Sequence, residues 1–407
     1  MTKTVELSFE SDCAGVVAEL RDALLEVYES IGMDPGVPQE MARRFRLNKT
    51  LTWHLSRMLA EPDCLPAMPH IPGMLAMEKV LNATLRAGAT EQQADRVRRA
   101  LRRYETVIRR HVDDRTTLDL MLDGMAPTPD RALEASRRLA FRGASGIRGV
   151  QVQTRTLTAF VAPNAEYSDR LDVAAVSGYI GVRRLRPRVR CMLLTVRSWN
   201  DAGGKPVGWK PIFDSIDGDP GNSILEHYGE RGHAGKGADL IPTDGGMEIV
   251  LQPGQVGNQS MFDIARADML PAIGNRWRED GDDTGEVGVS LTVPSERLVF
   301  DLLFHHELDF IGNARSLIFD LVDRKGAGFR DEDHPSVLPF RPSVTDLGGA
   351  PLVMSTPHVP GHGMLARKVC ERIGVAFEDM RGIRLEIEYP PLNSEILLRF
   401  DLPERPN

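Results

Sequence analysis

Residues 37–59, VPQEMARRFRLNKTLTWHLSRML, decide how the first part of the chain folds. Pro38 suits a helix first turn, where its missing N–H would have had no intrahelical acceptor. Gln39 to Phe45 then reads as a short helix, with Ala42 small where a second helix must come close. Asn48 can accept a bond from a free backbone N–H and so caps the second helix. In that helix Leu47, Leu51, Leu55 and Met58 or Leu59 form one apolar stripe. At about 100° per residue, Lys49, Trp53, Ser56 and Arg57 point the opposite way, flanked by Thr50 and Thr52.

The run A-x-x-F-x-L-N-K-x-L-x-x-x-L, Ala42 to Leu55, resembles the helix-turn-helix of bacterial transcriptional regulators. In that family the helix after the turn enters the major groove and the preceding one crosses the backbone. The resemblance implies DNA as the partner, with Lys49, Thr50, Trp53, His54 and Arg57 on or beside the groove-facing positions. Ala42 and Leu47 match its packing positions and Asn48 its cap. Two positions depart from the pattern. Arg46 stands where the turn usually has glycine, and a non-glycine residue at positive φ costs about 1 kcal/mol. Thr52 stands where Val or Ile is usual, with Leu51 one place early. The competing reading is a plain helical hairpin in an all-α packing domain, with Trp53 buried against a neighbour.

Upstream, VELSF at residues 5–9 predicts a short strand. Val16, Val17, Leu20, Ala23, Leu24, Val27 and Ile31 then recur at helical spacing, and Gly32 with Asp34-Pro35-Gly36 ends that helix. Residues 1–35 are thus read as an N-terminal strand and helix.

Downstream, Pro62, Pro66, Pro69 and Pro72 form a stiff connector ending in Gly73, before a helix from Met74 to about Arg86. The longest predicted helix, Glu91 to about Val112, follows Thr90. Its apolar positions, Ala94, Val97, Leu101, Tyr104 and Ile108, step by three and four as in a heptad seam. Arg98, Arg99, Arg102, Arg103, Arg109 and Arg110 lie outside it. Residues 91–112 therefore predict a homodimer seam with a basic back able to touch phosphates, or else a bundle helix with a solvated arginine face. A short helix over 116–122 precedes one from Pro129 to about Phe141, with Thr128 as its cap. Glycines 143, 146 and 149 mark the end of a helical domain spanning 36–145.

From Val150 the pattern becomes extended, starting with the Val- and Thr-rich VQVQTRTLTAFVAP. Further strands are expected at 171–185, 190–198, 247–251, 287–293, 296–305, 350–355, 382–389 and 394–402, and one helix over 363–373. Long glycine- and proline-rich loops separate them, notably 200–245 and 275–286. The expected fold is multidomain α + β: an all-α N-terminal half carrying the helix-turn-helix, then a mainly-β or α+β domain over 150–407.

A net charge of −8 opposes nucleic-acid binding at first sight. Its distribution softens this, because residues 38–115 hold 15 Lys and Arg against 9 Asp and Glu, and steering depends on the local field. No apolar run reaches the roughly 20 residues of a membrane span. The N-terminus lacks the basic start and apolar stretch of a secretory signal, so a cytoplasmic, non-membrane protein is expected. Cys13, Cys64, Cys191 and Cys370 are too scattered for a zinc site or disulfide scaffold and read as inert thiols.

Candidate chemistry in the large domain is sparse. GERGHAGKG, residues 229–237, fails as a phosphate loop, because its spacing is wrong and Gly237 stands where a magnesium-binding hydroxyl belongs. His305, Glu307, His358 and His362 have metal-compatible side chains without a metal-site spacing. Tyr179, Trp199, Trp209, Trp277, Arg183 and Arg184 suit the lining of a ligand pocket. No GxSxG, HExxH or dinucleotide fingerprint occurs, and no metal or cofactor is predicted. The expected function is a DNA-binding transcriptional regulator, more a binding protein than an enzyme, whose C-terminal domain senses a small-molecule effector or holds a partner. The alternatives are an enzyme of unassigned class with its site in that domain, and a scaffold whose helical half mediates assembly.

Overall fold

The computed structural model describes residues 9–112, 114–124, 129–197, 210–213, 225, 228, 237–243, 246–279, 281, 283–320 and 332–406. The chain divides into two compact units, Met1–Leu133 and Glu134–Asn407. The first is helical and the second is rich in sheet.

The helical unit contains α1 (Phe9–Ser30), α2 (Pro38–Phe45), α3 (Lys49–Ala60), α4 (Cys64–Ala67), α5 (Met74–Leu85), α6 (Glu91–His111) and α7 (Arg115–Gly124). Residues 5–8 of the expected first strand lie outside the described residues, and Phe9 opens α1. The predicted stripe of α1 is buried. Thr90 starts α6 with a complete capping box: its Oγ1 accepts from Gln93 N–H at 3.3 Å, and its own N–H donates to Gln93 Oε1 at 2.9 Å. The stripe of α6 packs against α1 of the same chain. The apolar stripe over 91–112 is therefore part of the core of this unit, as in a bundle helix. The three-four stripe needs an apolar partner face, and α1 supplies it.

The α2–α3 corner is set by two caps. Arg46 adopts the left-handed conformation (φ 53°, ψ 40°), and its N–H and that of Leu47 both donate to Ala42 O. These bonds close the end of α2 and offset the cost of a side chain at positive φ. Asn48 Oδ1 then accepts from Thr50 N–H at 2.7 Å and Leu51 N–H at 3.4 Å, satisfying the start of α3. Thr52, Leu55 and Met58 are buried, while Leu47, Leu51 and Leu59 only reach the edge of the core. The apolar face is therefore centred about one residue later than a Leu51–Leu55 stripe implies. Thr52 tolerates burial because its hydroxyl donates to Lys49 O at 3.1 Å.

In the second unit the chain runs from α8 (Pro129–Arg148), which crosses the division, through β1 (Val150–Pro163), β2 (Arg170–Arg184), β3 (Cys191–Arg197), β4 (Lys210–Pro211), β5 (Ala238–Thr243), β6 (Gly246–Leu251), β7 (Phe262–Asn275), β8 (Thr284–Ser290), β9 (Ser295–His305), β10 (Arg315–Asp320), β11 (Val344–Gly349), α9 (His362–Ile373), β12 (Met380–Glu388) and β13 (Ser394–Asp401). Seven strands form a mixed sheet in the order β11-β12-β9-β1-β2-β7-β4, in which β1 and β9 run parallel and the other pairs antiparallel. Two three-stranded sheets, β10-β13-β8 and β3-β6-β5, accompany it.

Alternate residues of the large sheet face two environments. One face, with Phe160, Val176, Val299 and Leu303, is covered by Ala366, Val369 and Cys370 of α9. The other carries Arg155, Leu157 and Ala159 on β1 and looks toward β3 and β8.

Three local expectations need correction. Residues 350–355 are not a strand: β11 ends at Gly349, and Met354 O accepts from Arg384 Nη2 at 2.9 Å instead of from a ladder partner. The helix expected to stop near Phe141 continues to Arg148, where Gly149 at φ 72° ends it. Its added turns are held by Phe141 against Tyr389 and by Arg148 Nη1 donating to Thr292 O at 2.7 Å. The long β7 was not foreseen, because buried Asp263, Arg266 and Asp268 interrupt the apolar alternation that marks a strand. Among the described residues no helix is long and apolar enough to cross a membrane.

Candidate functional site

Two places combine chemistry with access. The first is the outer face of α2 and α3. Residues 37–59 hold Arg43, Arg44, Arg46, Lys49 and Arg57 against Glu40 alone. Lys49, Thr50, Trp53 and Arg57 are exposed and His54 is half-buried. Trp53 is 48% exposed, which removes the reading that it is buried against a neighbour. Its ring meets His54 and His70 edge-on, with centroids 5.0 and 5.4 Å away, and the two imidazole Nδ1 atoms lie 3.1 Å apart. Neither Lys49 nor Arg57 has a carboxylate within ion-pair distance among the described residues.

The arginines of α6 differ. Arg98 forks onto Glu78, with Nε 2.8 Å from Oε1, and also meets Asp95. Arg103 donates to Glu19 at 2.5 Å, and Arg110 to Asp12 at 3.3 Å. Much of the basic back expected to touch phosphates is thus neutralised by acids of the same unit. Apart from Asp95, sequence spacing along one helix cannot show this, because Glu78, Glu19 and Asp12 come from α5 and α1.

The second place is a cavity of about 480 Å³ in the sheet-rich unit. Its floor follows from strand register. Leu157 pairs with Ser177 and Ser177 with Arg266; one step along, Ala159 pairs with Ala175 and Ala175 with Asp268. Leu193 and Leu194 of β3 and Val287 and Val289 of β8 complete the walls. Tyr179 ties β3 to the floor by donating to Leu193 O at 2.8 Å. Arg155 and Arg266 are 4% and 7% exposed. Arg155 Nη1 donates to Thr156 O and Gly178 O, at 2.6 and 3.0 Å, and Nη2 to Ser177 Oγ at 3.0 Å. These acceptors are all neutral, and Arg155 Nε has none among the described residues. Arg266 Nε donates to Asp268, while its Nη1 has no acceptor among the described residues. Burial lowers the pKa of Arg155 from the ordinary arginine value, with Tyr179 opposing; a guanidinium nonetheless stays charged in a protein.

His362 belongs to a buried cluster on the other face of the sheet. Its Nε2 lies 2.7 Å from Thr158 Oγ1 and its Nδ1 3.6 Å from Asp301 Oδ2. Asp301 in turn takes a fork from Arg384, with both bonds at 2.7 Å. All four residues are buried, so the group is a structural knot beneath α9. Burial chiefly, with Arg384 adding and Asp301 opposing, holds the imidazole pKa below the ordinary histidine value. In the unfolded chain His362 protonates as pH falls below about 6.5, whereas in the folded chain it resists until lower pH. The unfolded state then binds the extra proton. The contribution to stability is therefore full above about pH 6.5 and is lost as pH falls from there toward the folded pKa. Urea unfolding at about pH 7.5 and 5.5 should show a larger loss for the native chain than for His362→Gln. Equal losses would place the acid sensitivity elsewhere.

The other flagged residues do not converge. His305, His306 and Glu307 bring three potential ligand atoms within 4.8 Å of one another. Glu307 is engaged by Arg276 at 2.9 Å, and burial chiefly lowers the pKa of His305. His358 faces Glu386 at 3.5 Å and His362 faces Asp301, so the four residues of the proposed set are divided among three neighbourhoods. Tyr179 does not line the cavity but holds its wall through the bond to Leu193 O. Arg184 is tied to Gln252 O and Gly237 O, both at 2.8 Å, and Arg183 to Asn258 at 2.9 Å, so both arginines are structural. Trp277 stacks with Arg276. Trp199, Trp209 and residues 229–236 of the glycine-rich loop lie outside the described residues. Burial pushes the thiols of Cys13 and Cys370 up to about 12, which keeps them protonated and inert near neutrality. Arg155 and Asp301 were each legible as a charge inside an apolar or Val/Thr strand, a signal that the periodicity reading passed over.

No family model and no curated protein matches the sequence. Among solved structures, a two-domain M1 zinc metallopeptidase mutant bound to L-tryptophan is similar at a TM-score of 0.25 and 9% identity, over 62% of this chain and 43% of that one. An M1 zinc metallopeptidase mutant from Deinococcus radiodurans bound to a Tyr-Ser-Ala substrate gives 0.24 and 9%, over the same shares. The chain thus spans 43% of the length of these structures. Similarity at this level assigns neither fold nor activity.

Proposed function

We propose that the protein is a DNA-binding regulator, with α2 and α3 acting as a helix-turn-helix and the sheet-rich unit as the site of a small-molecule effector. The observation that carries this reading is the α3 face. Lys49, Thr50, Trp53 and Arg57 stand in solvent, and the cations among them have no acidic partner among the described residues, while Arg98, Arg103 and Arg110 of α6 do. A cation without a carboxylate partner is available to phosphate, and its engagement releases counterions from DNA. The capped, left-handed corner at Arg46 gives α3 a defined direction from α2 despite the missing glycine.

An electrophoretic shift assay on genomic fragments at low salt tests the reading. The native chain should bind, with affinity falling steeply as salt rises. Lys49→Ala with Arg57→Ala should weaken binding at least several-fold without changing the unfolding midpoint by more than about 0.5 kcal/mol equivalent, since both sites are exposed. Absence of any shift for the native chain would end the proposal.

A further inference from the structure

The cavity between β1, β2 and β7 on one side and β3 and β8 on the other carries an electrostatic imbalance. Three guanidinium groups are concerned. Arg266 has Asp268 as its counterion, and Arg399 has Glu286, with Nη2 2.9 Å from Oε2. Arg155, equally buried, has only neutral acceptors among the described residues. A charge removed from water without a counterion is costly, and folded proteins keep such groups mainly where a partner is supplied. Among the described residues no neighbouring side chain supplies the partner, while the cavity beside Arg155 is large enough to admit a small molecule.

We propose that this cavity binds a small monocarboxylate with an apolar body, the carboxylate accepting from Arg155 and Arg266 and the body lying along Leu157, Leu194, Val287 and Val289. The proposal rests on reading the sheet-rich unit as a ligand-binding unit and is independent of DNA binding.

Four observations select this chemistry. Arg155 Nε and Arg266 Nη1 are buried donors with no acceptor among the described residues, and a carboxylate offers two acceptor oxygens. The planar fork of arginine matches a carboxylate geometrically. The two acids of the lining, Asp268 and Glu286, are each held by an arginine, which leaves one uncompensated positive charge and so favours a monoanion. A phosphate dianion would bring a second negative charge toward those two carboxylates. The remaining walls are largely aliphatic, so the affinity of the body comes from apolar burial and that of the head from charge.

The full chain is titrated with octanoate, decanoate and benzoate, with octan-1-ol as the neutral counterpart and with inorganic phosphate, following the thermal midpoint and the heat of binding. At least one acid should raise the midpoint saturably, and octan-1-ol and phosphate should bind about tenfold more weakly or not at all. Arg155→Gln should lose about tenfold in affinity for the acid and leave the response to octan-1-ol unchanged. Ala175→Phe, which fills the cavity and keeps every charge, should abolish binding of the acid, and it tests the site if Arg155→Gln fails to fold. The proposal is overturned if no acid binds, if octan-1-ol binds as well as octanoate, or if either folded variant binds the acid as the native chain does. A chain that binds octanoate but no DNA keeps this site and loses the regulator reading; a chain that binds DNA but no acid does the reverse.

Discussion

Asp301→Ala is expected to destabilise the sheet-rich unit by about 3–5 kcal/mol, the usual cost of removing one partner from a buried ion pair. Asp301 is 0% exposed in the middle of β9, next to β1 on one side and β12 on the other. It accepts both bonds of the Arg384 fork at 2.7 Å, and His362 Nδ1 points at it from 3.6 Å. Without the carboxylate, Arg384 keeps its bond to Met354 O but becomes a buried cation without a counterion. Three elements, β9, β12 and the segment before α9, lose a common tie. A total stability of about 5–15 kcal/mol is ordinary, so the loss is a large share of it. Asp301→Ala combined with Arg384→Met should recover much of the loss, because it removes both charges instead of stranding one. Urea unfolding of both variants measures the effect. A loss below about 1 kcal/mol for Asp301→Ala would mean that the knot does not organise the sheet.

Leu55→Ala should cost about 2–5 kcal/mol in the helical unit. Leu55 is 0% exposed on the inner face of α3 and belongs to the same core as Leu20, Leu24 and Leu101. Its truncation leaves a cavity that α1 and α6, both long helices, cannot easily collapse to fill. Trp53→Ala, two residues away, should change stability by less than about 1 kcal/mol, because the indole is 48% exposed on the outer side, against the rings of His54 and His70. Under the regulator reading Trp53→Ala weakens DNA binding while Leu55→Ala weakens it only by unfolding the unit. Thermal unfolding paired with the shift assay separates the two. If Trp53→Ala costs as much stability as Leu55→Ala, the outer face of α3 is a packing face.

The two units differ in how readily local pattern predicts them. Helices α1, α3, α5 and α6 follow from three-four spacing and their caps, since both are properties of residues within one or two turns. The strands β1, β2, β9, β12 and β13 follow from Val, Ile and Leu content. Local pattern does not mark β7, in which Asp263, Arg266 and Asp268 are buried. It also turns residues 350–355 into a strand, although the segment meets the guanidinium of Arg384 rather than a ladder partner. In both places a long-range polar contact outweighs the local preference.

The candidate site shows the same division. Asn48, Lys49, Trp53 and Arg57 were marked by position alone, because one helix places them on one face. The exposure of that face, and the pairing of the α6 arginines with Asp12, Glu19 and Glu78, required knowing which helices are neighbours. The cavity around Arg155 was not legible at all. Arg155, Ser177 and Arg266 are separated by 22 and 89 residues in sequence, and only the registers of β1 with β2 and β2 with β7 bring them together.

By itself, then, the sequence determined the helical and extended halves, the capped α2–α3 corner and the polar side of α3. The tertiary structure decided that the stripe of α6 packs on α1, which arginines have acids, and that buried Arg155 has none among the described residues. Helix periodicity and capping act over a few residues, whereas charge compensation depends on which distant strands and helices become neighbours.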